Sequence, residues 1–236
     1  MDAIPFEAWF FEVPPVTRYW TTAAVVTSVL VQCEVLTPYQ LFFAFRTVFE
    51  THQVCRGPNC DVMMSLIVEI QYWRFLTTFL YFGPLSLDFI FHIFFMSRYS
   101  RMLEDSFFRN KTLDFLWLLF YSSFSLLILS PLVSLPFLGS PLSFSLVYIW
   151  ARRNPSIRLS FLGLFVFSAP YLPWVLFGFS LILNNKLPKG DLLGIAVGHV
   201  YFFFEDIFPR LYGYRPLAPP WRWQIWRRRR QHEPAE

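Results

Sequence analysis

Stretches of about 20 residues with almost no charge follow one another along this chain, and such a polypeptide is built for lipid. Windows of that kind place helices at Tyr19 to Leu36, Arg74 to Met96, Leu113 to Ser130, Leu132 to Ala151, Phe161 to Leu183 and Asp191 to Phe208. Of the 236 positions, 55% are hydrophobic, 21% aromatic and only 15% charged, far from soluble averages. Spans and short loops therefore consume nearly the whole length. The expected organisation is one all-α membrane domain of six transmembrane helices over residues 1–209, with a basic tail over 210–236. The boundary between the third and fourth spans, inside SPLVSLPFLGSP, is the weakest, and a five-span alternative stays open there.

Basic residues orient the bundle. With the N-terminus cytosolic, 15 of the 20 lysines and arginines fall on the cytosolic side, at Arg18 and in the second and fourth loops and the tail, and five on the other. That bias favours six spans with both N- and C-termini cytosolic. The start, MDAIPFEAWFFEVPP, has acids and prolines where a cleaved signal needs basic and small residues, so the first span is expected to be kept. Cys55 and Cys60 bracket the turn-forming RGPN and are candidates for a small disulfide, while Cys33 reads as a buried free thiol. No metal site, cofactor or nucleic-acid partner is expected.

The candidate chemistry centres on GIAVGHVYFFFEDIFPR, residues 194 to 210, because an ionisable group in an apolar run is costly in lipid. One reading makes His199 the base of an intramembrane serine protease, with Ser143 or Ser145 of the fourth span nearer its depth than Ser140. Against it, the local sequence is G-S-P-L, and Pro141 supplies no N–H donor where an oxyanion would need one. The other reading makes Gly194 and Gly198 a helix-packing pair that turns His199 into the bundle, towards polar partners such as Asp88 and His92, which are four apart on the second span. Glu205 and Asp206 close the sixth span opposite Arg98, Arg101, Arg152 and Arg153, as a salt-bridged rim. The uncharged part of that span, Leu192 to Phe204, is about 20 Å long, short enough to thin the bilayer locally. In the aromatic first loop, Trp73 and Arg74 read as anchors at headgroup level.

Six segments carry a resemblance: PPVTRYWTTAAVVT (14–27), YWRFLTTFLYFGPL (72–85), LDFIFHIFFMSRYSRMLED (87–105), LSFSLVYIWARRNP (142–155), LSFLGLFVFSAPYLPWVLFGFSLIL (159–183) and DLLGIAVGHVYFFFEDIFP (191–209). In this order they resemble the derlins, members of the rhomboid superfamily that lack protease activity. The resemblance implies a six-span rhomboid-like fold in the endoplasmic reticulum membrane. It implies a role in retrotranslocating misfolded proteins for ubiquitin and proteasome degradation, beside a membrane ubiquitin ligase and a cytosolic AAA ATPase, alone or as an oligomer with other derlins. Trp73 and Arg74 match the family's Trp-Arg pair, Gly194 and Gly198 its GxxxG, and His199 the histidine that follows. Two departures stand out. VCRGPNCDVMMSLIVEI is inserted between His52 and Tyr72, and the tail lacks the glycine-rich ATPase-binding box of some derlins, which makes ATPase recruitment indirect.

Overall fold

A computed structural model describes residues 10–41, 74–133, 135–161, 163, 165–185 and 187–222. Cys55, Cys60, Trp73 and the insertion lie outside the described residues, and of Arg74 only the backbone is described, as the first residue of a helix. The described chain is α1 (Pro15–Gln32), α2 (Pro38–Leu41), α3 (Arg74–Leu80), α4 (Leu87–Ser106), α5 (Thr112–Val133) and α6 (Gly139–Arg153), then β1 (Arg158–Phe161) and β2 (Phe165–Ser168). A 3₁₀ turn then leads into α7 (Leu172–Asn184) and α8 (Lys189–Phe202), which continues through a π turn (Phe203–Ile207) into α9 (Phe208–Tyr212).

Several expected spans change shape. The second does not run from Arg74 to Met96. Gly83 takes φ 111°, Pro84 follows, and Ser86 caps a new helix by accepting from the Phe89 amide at 3.3 Å, so α3 and α4 are separate. The fifth begins as an antiparallel hairpin, Arg158 opposite Ser168 and Phe161 opposite Phe165, so the fold is not purely α. Gly163, at φ 74°, supplies the left-handed turn residue between the strands. A continuous apolar run reads alike as strand or helix, which is why the sequence hid this hairpin. The third span extends to Val133 and the fourth starts at Gly139, two helices where a five-span reading would want one.

The sixth span is longer than expected. Its helix is unbroken from Lys189 to Tyr212, 24 residues or about 36 Å, so the case for thinning does not rest on it. The short helices are α6, with 15 residues, and α7, with 13, about 22 and 20 Å long. Thr112–Val133 and Lys189–Tyr212 are long and apolar enough to cross a membrane, by length and composition. Cys33, expected as a buried thiol, is exposed, at the C-cap just past α1.

At the centre stands α6, with every residue from Pro141 to Ala151 buried. It is packed on by α8, α4, α7, α5 and α3. Two of its hydroxyls are satisfied within the helix, Ser143 donating to the Ser140 carbonyl at 2.8 Å and Ser145 to that of Leu142 at 2.7 Å. The outer faces are also apolar, with Phe120, Phe124, Ile128 and Ile182 exposed. Helices apolar on both sides suit a bundle set in lipid.

Candidate functional site

The site is built on the contact between α6 and α8, and glycine makes that contact possible. A methyl group at Gly194 would overlap the Pro141 carbonyl and stand 2.9 Å from Phe144 Cβ; at Gly198 it would stand 2.9 Å from the Ser145 carbonyl oxygen and 3.1 Å from Tyr148 Cβ. Two helices that approach this closely bring their polar side chains into direct reach.

At one end, Ser140 in the first turn of α6 donates its hydroxyl to Asp191 Oδ1 in the first turn of α8, at 2.6 Å. His92 of α4 joins them, its Nε2 3.3 Å from Ser140 Oγ and 3.5 Å from Asp88 Oδ1. Asp191 is only 3% exposed, and its Oδ2 is buried with no hydrogen-bond partner among the described residues. Beside this node lies a cavity of about 20 Å³ lined by Asp88, His92, Ser143 and Ser180 among aromatic rings, the volume of a single water site.

This constellation has the parts of a nucleophilic triad without its wiring. A relay needs the imidazole to face the serine with one nitrogen and the acid with the other. Here Nε2 is the ring nitrogen closest to Ser140 and also the one facing Asp88, and the serine proton is already committed to Asp191. The arrangement ties α4, α6 and α8 together.

His199 lies apart from that node. It is exposed, and its Nδ1 meets the Tyr148 hydroxyl of α6 at 2.6 Å, with the two rings edge to face at 5.7 Å. Asp88 and His92 are thus not its partners, and neither Ser143 nor Ser145 reaches it.

At the far end, Arg153 clamps Asp206 with Nε and Nη2, both at 2.9 Å, while its guanidinium also covers the Phe107 and Phe108 rings. Glu205 pairs with Arg215 of the tail at 3.5 Å, Arg152 lies over Phe202, and Arg101 faces Glu12 and Asp105. The rim is therefore real but differently matched: Arg153 alone of the four expected arginines meets either acid.

Two further contacts, at Glu104 and in the tail, have no signal in local sequence. Buried Glu104 of α4 accepts from the Val16 and Thr17 amides at the start of α1. The tail folds back on α5, with Trp221 Nε1 donating to Asp114 Oδ1 at 2.9 Å, Arg222 pairing with the same carboxylate, and Trp117 Nε1 donating to the Leu217 carbonyl at 2.9 Å. Asp191 could have been flagged, since an acid in a helix's first turn complements the dipole, but its partner is 51 residues away.

Comparison with known proteins covers these same helices. A model of the Der1-like family matches residues 13–66 and 62–221, the two segments meeting within the inserted loop. Derlin-2.1 of Zea mays is 40% identical over 225 residues, 91% of this chain and 83% of that relative. Derlin-2.1 of Arabidopsis thaliana is also 40% identical over 91% of the chain, and a probable derlin-2 homolog of Dictyostelium discoideum is 37% identical over 92%. With the family match running through every helix of the site, the chain belongs to the Der1-like family.

Proposed function

We propose that this protein is a non-catalytic, multi-pass component of the endoplasmic reticulum membrane that helps misfolded proteins leave for the cytosol and the ubiquitin–proteasome system. The observation that carries the reading is the fate of the serines beside histidine. Ser140 gives its proton to Asp191 and meets His92 most closely through the ring nitrogen that also faces Asp88, Ser143 and Ser145 bond back to their own helix, and His199 bonds Tyr148. A rhomboid-type protease would need one of these hydroxyls free and facing an imidazole.

The mechanism proposed in place of chemistry is mechanical. Two helices of the bundle, α6 and α7, are shorter than the roughly 30 Å hydrocarbon thickness, and short helices draw the bilayer thin around them. A thinned bilayer lowers the cost of passing polar chain. Parallel packing of α6 and α8 fits their place as fourth and sixth spans, with both termini cytosolic. The partners that go with this role are misfolded proteins, a membrane ubiquitin ligase, an AAA ATPase reached indirectly, and other derlin subunits.

The test is a pulse-chase of a misfolded lumenal protein in cells lacking endogenous derlins, rescued by wild type or by His199→Ala. Equal rescue by both, without fragments, supports extraction. Rescue by wild type alone, with a discrete cleavage product, overturns it in favour of a protease.

A further inference from the structure

A groove of about 890 Å³ runs along the outer face of α4 beside the start of α1, with buried Trp150 of α6 among its walls. Its two ends differ in chemistry. Ile90, Ile93 and Phe94 line the inner part, and Ile90 and Phe94 are 60% and 52% exposed, so the groove opens sideways to the surroundings of the bundle. One helical face further on, Arg98, Arg101 and Asp105 line its mouth. From Phe89 to Arg98 is about 13 Å along the helix, close to half the hydrocarbon thickness of about 30 Å. An apolar slot one leaflet deep with a charged mouth is the shape of one lipid, whereas a spanning peptide segment would need twice the apolar length.

Charge selects the headgroup. Arg98 is exposed and has no ion pair among the described residues, which leaves its fork open to a phosphate. Arg101 faces Asp105 at 3.5 Å and Glu12 at 3.7 Å. Among the described residues, two cations and two carboxylates leave the mouth neutral, which does not favour an anionic headgroup and suits one carrying both signs. Among the described residues that line it, the mouth holds no aromatic cage for a quaternary ammonium, while the Asp105 carboxylate, half-exposed, can accept hydrogen bonds from a primary amine. We propose that this groove is a binding site for phosphatidylethanolamine from the leaflet at the Arg98 end, with its phosphate on Arg98 and Arg101, its amine on Asp105 and an acyl chain along Ile93 and Phe94.

The test is native mass spectrometry of the full chain released from phosphatidylcholine nanodiscs doped with phosphatidylethanolamine or with phosphatidylglycerol. Phosphatidylethanolamine should be retained over both other lipids. Arg98→Ala and Asp105→Asn, both at positions open to solvent, should each lower that retention roughly tenfold, the loss of one charge-assisted hydrogen bond. Ile90→Trp, which fills the groove from its exposed edge, should abolish it. Equal retention of all three headgroups, a preference for phosphatidylglycerol, or retention unchanged in Arg98→Ala and Ile90→Trp would each overturn the assignment. So would a photocrosslinker at position 90 that captures a protein segment in place of lipid.

Discussion

The Tyr148 hydroxyl and His199 Nδ1 meet at 2.6 Å across 51 residues of chain, the same separation that joins Ser140 to Asp191. A constant offset means that α6 and α8 run parallel and in register over two turns. Beyond His199 the offset becomes 53, at Arg153 and Asp206, and Asp206 lies within the π turn from Phe203 to Ile207. A π turn spends extra chain per turn, and this one brings Asp206 under the guanidinium in place of the residue an α-helix would present.

Because the pair joins buried Tyr148 to exposed His199 and neither ring is used by a serine, Tyr148→Phe and His199→Ala should each cost about 1 kcal/mol, one ordinary hydrogen bond. Client degradation by both variants should stay near wild type. Thermal unfolding in detergent, read beside the pulse-chase, checks both statements.

The two glycines of α8 should be far less tolerant than a glycine elsewhere in the bundle. Gly194→Ala drives a methyl into the backbone of α6, and overpacking of that kind costs about 1–3 kcal/mol or separates the helices. Gly178→Ala in α7 meets nothing within 4 Å and should be neutral or slightly stabilising, as alanine is the better helix former. Melting temperatures of the two variants should move in opposite directions; equal losses would remove the close contact as an explanation.

Ser140→Ala leaves the buried Asp191 carboxylate without the hydroxyl that holds it, a change expected to cost about 3 kcal/mol. Removing the acid as well, in Ser140→Ala with Asp191→Ala, should cost less than the two single changes added together, because the stranded charge is gone. A double-mutant cycle on denaturant or thermal unfolding reads the coupling. Simple additivity would mean that the two side chains do not act as a pair.

Glu104 fastens α1 to α4 by an unusual route. Its Oε2 accepts from the Thr17 amide at 3.0 Å and the Thr17 hydroxyl at 2.8 Å, and Oε1 from the Val16 amide at 3.3 Å, so a carboxylate from another helix caps α1. Glu104→Ala should cost about 3 kcal/mol and loosen α1 first. Hydrogen exchange localised to residues 15–20 should rise well before exchange in α6, and uniform loosening would argue against a local cap.

Arg222→Ala should free the returning tail, since it removes the ion pair with Asp114 while Trp221 keeps a single hydrogen bond. Loss of a half-buried charge pair, about 1.5 kcal/mol, should raise the rate of proteolytic clipping after Gly213 roughly tenfold. A tail clipped equally fast in wild type would mean that it is not held on α5.

Much of this protein is legible in one dimension because membrane insertion is a local property. Apolar windows mark where helices lie, and a GxxxG spacing marks a close helix contact, without reference to any distant residue. Breaks are harder: Gly83 and Pro84 carried a signal, but the hairpin around Gly163 sat inside a run whose apolarity hides its period. Which polar groups meet was decided by the tertiary structure alone. Ser140 finds Asp191, Tyr148 finds His199 and Glu104 finds Thr17 at separations of 51 to 87 residues, and such pairings follow from helix register and tilt, which one-residue and four-residue periodicities do not encode. Local patterns in the chain mark an apolar bundle of the Der1-like kind; packing sends the Ser140 proton to Asp191, turns Ser143 and Ser145 back on their own helix and pairs His199 with Tyr148.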